Sequence, residues 1–111
     1  MYRFLRKWIS LVLSLLLVFA FAAAGTAENN EVQDWISQAQ EALGQEDYES
    51  SLRYFTLAAD LGNADGQECL GYLYLEGLGV EQSREKAVEL YKLAAEGGSE
   101  EAQQQLILLG E

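Results

Sequence analysis

One segment of this 111-residue chain recurs 36 residues later, and this repeat constrains the fold more than any other feature of the sequence. Residues 57–62 read Leu-Ala-Ala-Asp-Leu-Gly, and residues 93–98 read Leu-Ala-Ala-Glu-Gly-Gly. A period between about 20 and 50 residues is typical of stacked supersecondary units, each of which needs its neighbour to bury its apolar face. The repeat therefore predicts a stacked array, an architecture that presents binding surfaces more often than it performs chemistry.

The first 27 residues have the layout of a secretory signal peptide. Three basic residues come first, namely Arg3, Arg6 and Lys7. A nearly continuous apolar run covers residues 9–24, and small residues satisfy the cleavage rule at Ala24 and at Ala27. We expect a leader over residues 1–27, cleavage near one of those two alanines, and a periplasmic or secreted domain over residues 28–111. The alternative is an uncleaved inner-membrane anchor, although the run is shorter than the ~18 residues that a spanning helix needs.

The charge balance of the chain is strongly acidic. The sequence contains 18 acidic and 7 basic residues, and loss of the leader would remove three of the basic ones. Nucleic acids and anionic membranes are bound by Lys/Arg clusters, so this balance argues against both as partners. Two interpretations stay open: the acidic surface attracts a partner with a basic surface, or it only keeps the helix exteriors solvated.

The residues that usually carry catalysis are scarce. The chain has no histidine, which removes the commonest general base and metal ligand. Cys69 is the single cysteine, so it either forms an intermolecular bridge or packs as a small buried hydrophobe. No spacing matches a phosphate-binding or calcium-binding loop. We therefore expect no enzymatic activity, no cofactor and no metal site.

Apolar spacing predicts four helices and a short fifth, and no proline interrupts them. Their expected bounds are Glu31–Leu43, Asp47–Leu61, Ala64–Glu76, Ser83–Glu96 and Ser99–Leu109. The expected N-caps are Asn30, Asp47, Asn63, Ser83 and Ser99. Gly44 is expected to end the first helix, and the glycines of residues 77–80 to allow a tight turn. Short connections force neighbouring helices to run antiparallel, so the predicted fold is all-α, built from stacked helical hairpins.

The second pair of predicted helices resembles a Sel1-like repeat. The family's run Ala-x3-Leu-Gly-x2-Tyr-x2-Gly-x-Gly-Val is matched without gaps by residues 66–80, and its later Lys-Ala, Trp-Tyr and Ala-Ala pairs are matched by residues 86–87, 90–91 and 94–95. The sequence departs from this pattern at three positions, which are Gly66, Ser83 and Leu90.

The first pair of predicted helices is more similar to a tetratricopeptide repeat. Trp35, residues 46–49 and residues 52–58 follow that pattern, with Glu46 in a glycine position and Ser51 in an alanine position. Residues from Ser99 onward resemble the start of a third unit, which makes about two and a half repeats. Both resemblances imply a short right-handed α-solenoid, and members of both families act as scaffolds or adaptors.

From this resemblance we expect a non-catalytic protein–protein interaction module of a bacterial envelope or secreted fraction. One alternative is a membrane-tethered regulator that keeps its N-terminal anchor. A less favoured alternative is a β-lactam-binding or β-lactam-hydrolysing enzyme, because Sel1-like relatives associated with that activity have paired cysteines and this chain has only Cys69.

The resemblance also implies that the first helix of each pair lines a concave binding face. The candidate partner-binding residues on these helices are Gln33, Ile36, Gln40, Leu43, Glu68, Tyr72 and Leu75. Tyr72 is the strongest candidate, since aromatic residues with a polar tip are frequent interface anchors. The alternative is that Tyr72 and Leu75 only pack against the preceding helix pair.

A second candidate contact lies in the last predicted helix. Ile107 and Leu108 point away from the side of that helix that would cover the fourth helix, and no later helix in the sequence would bury them. We expect self-association, or folding together with a partner, through this pair of residues.

Overall fold

A computed structural model describes residues 30–111, and every regular secondary-structure element within these residues is an α-helix. The five helices are α1 (residues 30–44), α2 (Tyr48–Asp60), α3 (Ala64–Glu76), α4 (Arg84–Glu96) and α5 (Glu100–Leu108). The predicted all-α class is confirmed, and the bounds of α2 to α5 lie within one or two residues of those expected. The leader predicted for residues 1–27 lies outside the described residues.

Four of the five expected N-caps are confirmed. In each, the side-chain oxygen accepts a hydrogen bond from the backbone N–H three residues later, which satisfies an otherwise unpaired donor. These caps are Asp47, Asn63, Ser83 and Ser99. The prediction for Asn30 is wrong, because residue 30 is already helical.

The end of α1 lies at Gly44, as predicted, but the left-handed residue of the following turn was not predicted. The helix continues through Gly44, and the chain reverses at Glu46, which adopts a left-handed conformation with φ of 61°. The Asp47 backbone N–H donates to the Ala42 carbonyl at 2.8 Å, which closes this turn. A residue with a side chain thus occupies the position for which the tetratricopeptide pattern uses glycine.

Two hydrophobic clusters hold the helices together. The first joins α1, α2 and α3 and contains Ile36, Ala39, Phe55, Ala58, Ala59, Leu70 and Leu73. The second joins α4 and α5 and contains Ala87, Tyr91, Ala94 and Ala102, with Tyr74 and Leu75 of α3 packed against it. Because α3 packs against both α2 and α4, it is buried on two sides, as its broadly apolar circumference predicts.

Close backbone approaches explain two of the glycines. A Cβ added at Gly66 would lie 2.7 Å from the Ala58 Cβ, so α2 and α3 meet where the family pattern has alanine. Gly79, in the connection between α3 and α4, has φ of +71°, and a Cβ there would lie 2.8 Å from the Tyr48 carbonyl oxygen. The α3–α4 connection therefore rests on the first residue of α2.

No helix within residues 30–111 is long and apolar enough to cross a membrane.

Candidate partner-binding surface

The α3 face, defined as Glu68, Tyr72 and Leu75, contains three side chains in different environments. Tyr72 is 44% exposed, whereas Glu68 and Leu75 are half-buried. Leu75 packs against the cluster of α4 and α5, and not against the preceding hairpin as the alternative interpretation proposed. Tyr72 is thus the outward side chain of this face, and Leu75 lies on its core side.

Glu68 connects α3 to the start of α5. The Ser99 hydroxyl donates to the Glu68 carboxylate at 3.1 Å, and the same hydroxyl oxygen accepts from the Ala102 backbone N–H at 3.1 Å. Partial burial of the carboxylate raises the pKa of Glu68, and the negative charges of Glu101 and Asp65 act in the same direction, while the Ser99 hydrogen bond opposes them. The N-cap of α5 is therefore held by a carboxylate that belongs to the candidate binding face.

Asp65 and Glu101 extend the negative charge around Glu68, and neither was among the predicted site residues. The repeat contained the signal that could have found them, because these two acids are 36 residues apart and occupy equivalent positions on α3 and α5. Asn63 and Ser99, the N-caps of these helices, are related in the same way. The 36-residue register thus relates α5 to α3 position by position.

The α1 face, predicted as Gln33, Ile36, Gln40 and Leu43, divides into two sides. Gln33 and Gln40 are exposed, whereas Ile36 is only 6% exposed and belongs to the first cluster. Leu43 is half-buried and packs against the same cluster. Placing Ile36 on a binding face was therefore wrong: residues seven apart share one side of a helix, and Ile36 and Leu43 form the core side.

Ile107 and Leu108, which we call the α5 edge, lie at the C-terminal end of α5. They are 73% and 79% exposed, the two highest values among the large exposed hydrophobic residues of the described chain. Leu106 of the same helix, and Leu109 directly after it, instead pack against the second cluster. The predicted division of this helix into a packed side and an open side matches the observed exposure.

The Cys69 thiol is half-buried on α3. Burial raises its pKa to about 12, with the nearby Glu68 carboxylate acting in the same direction, so the thiol stays protonated at neutral pH. Since the thiolate is the reactive form, this environment favours the interpretation of Cys69 as a packing residue. Within residues 30–111, no group of three or more acidic or cysteine side chains is placed to hold a metal ion.

Comparison with protein families identifies the repeat unit. The model of the Sel1 repeat matches residues 37–63 and residues 64–99. The second match contains α3 and α4, which were expected to form a Sel1-like unit. The first match extends the family to α2 and the second half of α1, for which a tetratricopeptide-like pattern was predicted.

Among proteins of known annotation, the chain is similar to the rat (Rattus norvegicus) protein named DAP3-binding cell death enhancer 1. The two are 38% identical over 60 residues, which is 54% of this chain and 12% of the rat protein. The chain thus matches only a small part of that relative's length.

Proposed function

The chain belongs to the Sel1 repeat family, and on this basis we propose that it is a non-catalytic adaptor that binds another protein through its α3 face and α5 edge. Sel1 repeats generally mediate protein–protein interactions, and the rat relative is named as a binding protein. A stacked array of this kind offers an extended surface for a partner, because each helical hairpin contacts only its neighbours.

The exposure of Tyr72 is the observation that carries this proposal. Tyr72 is 44% exposed on a helix that packs against both of its neighbours, so its backbone is fixed by α3 and its side chain is available to a partner. Tyrosine is enriched at interface hot spots because a large apolar ring and a polar tip lie in one side chain.

We further propose that the partner has a basic surface. Residues 30–111 contain 17 acidic residues and only 4 basic ones, and the carboxylates of Asp65 and Glu101 act on Glu68 of the α3 face to raise its pKa. Complementary charge speeds association and selects among partners. Self-association through the α5 edge is the alternative arrangement, because a second copy would also cover Ile107 and Leu108.

The proposed location is the bacterial periplasm or the secreted fraction, after cleavage of the leader near Ala24 or Ala27. The support is the basic start and apolar run of residues 1–27. A regulator tethered to the inner membrane is the competing proposal, supported by the same apolar run. Intact mass of the protein isolated from cells separates the two, because cleavage removes about 27 residues and an anchor removes none.

In-cell chemical crosslinking followed by mass spectrometry tests the adaptor proposal. We expect a reproducible protein partner for the unmodified chain and a several-fold lower yield for Tyr72→Ala. Leu57→Ala is the matched control, because Leu57 is 40% exposed and lies on α2, outside the proposed surface. Equal partner yields from all three proteins would contradict the proposed binding face.

A further inference from the structure

We propose that the α5 edge binds one amphipathic helix of the partner, with basic residues along its flanks and a small residue at its centre. This inference rests on the proposed function and specifies the partner chemistry at one part of the surface. It follows from the exposure of the α5 edge, its repeat register and its charge.

Both side chains of the α5 edge are uncovered within residues 30–111. Ile107 and Leu108 are adjacent large aliphatic side chains, each more than two-thirds exposed. They lie on a helix whose other side is anchored by Ala102, which is fully buried in the second cluster. An amphipathic helix is one recurring way of covering exposed apolar surface, because it lays its apolar face against that surface.

The 36-residue register shows how a covering helix would approach. Ile107 is equivalent to Gly71, and Gly71 is the point at which α3 meets α4. A Cβ at Gly71 would lie only 3.1 Å from Cε1 of Tyr91. The contact between α3 and α4 therefore pairs a small residue on α3 with a large residue on α4, the helix that covers it. On α5 the order is reversed, because isoleucine occupies the glycine position.

This reversal determines the size of the opposing side chain. A tyrosine placed over Ile107 as Tyr91 is placed over Gly71 would overlap the isoleucine, whereas alanine or glycine would leave room for it. Facing helices pack best when large and small residues alternate across the contact. The register therefore assigns a small residue to the centre of the bound helix.

Charge determines the flanks of the bound helix. Glu100, Glu101 and Glu111 lie on or beside α5, and residues 93–111 contain neither lysine nor arginine. Arg84 of α4 contacts this end of the chain, where its guanidinium already donates to the Leu109 carbonyl. A basic helix would meet complementary charge around the apolar centre, whereas a second copy of this chain would bring the same acidic residues.

Designed peptides test this inference on the full chain. The probe is a helical peptide of about 15 residues (roughly four turns) with alanine at the centre, leucines on the same face and lysines along both edges. One twin peptide replaces the lysines with glutamates, and the other replaces the central alanine with tyrosine. Fluorescence anisotropy measures the affinity of each peptide.

We expect the lysine–alanine peptide to bind about ten-fold or more tightly than either twin, which corresponds to about 1.4 kcal/mol. Ile107→Ser and Leu108→Ser should each weaken its binding by a similar factor. Leu61→Ser is the matched control, because Leu61 is 64% exposed and lies outside the α5 edge. The affinity of this variant for the lysine–alanine peptide should stay within about two-fold of that of the unmodified chain. Circular dichroism verifies that every variant is folded.

Four outcomes would overturn the inference: no binding of the probe, equal binding of the glutamate twin, equal binding of the tyrosine twin, or unchanged affinity of Ile107→Ser. Sedimentation of the full chain adds a fifth, since a dimer that Ile107→Ser dissociates would assign the α5 edge to a second copy. If Tyr72→Ala loses the crosslinked partner while Ile107→Ser keeps it, the inference fails and the adaptor proposal stands.

Discussion

The two helical hairpins of this chain, α1–α2 and α3–α4, differ in the connection between their helices. They place different residue types at the positions with positive φ. In the α3–α4 connection, Gly77 and Gly79 occupy the positions with positive φ. In the α1–α2 connection, the same kind of position is occupied by Glu46, at an energetic cost that glycine would avoid. The second hairpin follows its family pattern where the backbone demands it, and the first does not.

The cores of the two hairpins differ in the same way. Ser51 of α2 is fully buried, and its hydroxyl has no hydrogen-bond partner. Gly66 of α3 departs from the family pattern as well, but there the departure makes room for the close approach of α2. Departures in the first hairpin should therefore lower stability, whereas the glycine of the second is required by packing.

Gly79→Ala should have the largest effect on the free energy of unfolding. The new Cβ would add left-handed strain and a contact of 2.8 Å with the Tyr48 carbonyl, so we expect a loss of about 2–4 kcal/mol in the free energy of unfolding. Gly62→Ala is the control, because Gly62 also has positive φ but no neighbour within 4 Å, and it should lose only about 1 kcal/mol. Urea denaturation measures both, and equal losses would contradict the role of the Tyr48 contact.

Gly66→Ala should also destabilise the protein, by about 1–3 kcal/mol. Alanine normally stabilises a helix interior relative to glycine, but here its Cβ would lie 2.7 Å from the Ala58 Cβ. Gly44→Ala has no neighbour within 4 Å and should instead gain up to about 1 kcal/mol. A gain for both variants would show that α2 and α3 separate freely at this point.

Ser51→Ala should stabilise the protein by about 1 kcal/mol, because it removes a buried hydroxyl that lacks a hydrogen-bond partner. Alanine is also the residue that the repeat pattern has at this position. Ser37→Ala is a control on α1, where the exposed hydroxyl donates to the Gln33 carbonyl, and it should change stability little. A loss of stability for Ser51→Ala on thermal unfolding would mean that the hydroxyl has a partner in solution.

Glu46→Gly should stabilise the α1–α2 connection by about 0.5–1 kcal/mol, since glycine adopts φ of 61° without steric cost. Gln45→Gly in the same turn has no positive φ to relieve and should be neutral or destabilising. Chemical denaturation of the two variants gives the comparison. A similar change for both would remove the distinction between the two connections.

The smallest expected effect concerns pH and Glu68. Its folded-state pKa is raised, so the folded protein holds this proton more tightly than the unfolded chain, and the group lowers stability as pH rises above about 4.5. Glu68→Gln keeps an oxygen acceptor for the Ser99 hydroxyl and removes the charge repelled by Glu101 and Asp65. We expect a slightly higher melting temperature for this variant at pH 7 and a smaller difference near pH 4.

The helices were predictable because their signals are local. Apolar spacing and the capping residues Asp47, Asn63, Ser83 and Ser99 act within one turn of the chain, and all four caps form as expected. The left-handed residue that follows α1 was not predictable in this way. It depends on a hydrogen bond that places Glu46, a residue without special preference for the left-handed region, in the turn.

The candidate surface was predictable only in part. The family resemblance left open whether Tyr72 faces a partner or packs inside, and the structure shows it partly exposed. The same resemblance placed Ile36 with the exposed glutamines Gln33 and Gln40, although Ile36 lies on the core side of α1. The hydrogen bond between Ser99 and Glu68 joins residues 31 apart, and no local pattern specifies it. Contacts between helices that are not consecutive need the packed fold.

Partner binding is proposed on α3 and α5, while the repeated Leu-Ala-Ala segments of α2 and α4 are scaffold. A photoreactive phenylalanine analogue placed at Tyr72 on α3, and separately at Leu57 on α2, tests this claim in living cells. Both positions have similar exposure, so reactivity toward solvent is matched. We expect a discrete crosslinked partner from position 72 and none from position 57. Equal crosslinking from both positions, or from position 57 alone, would contradict the account.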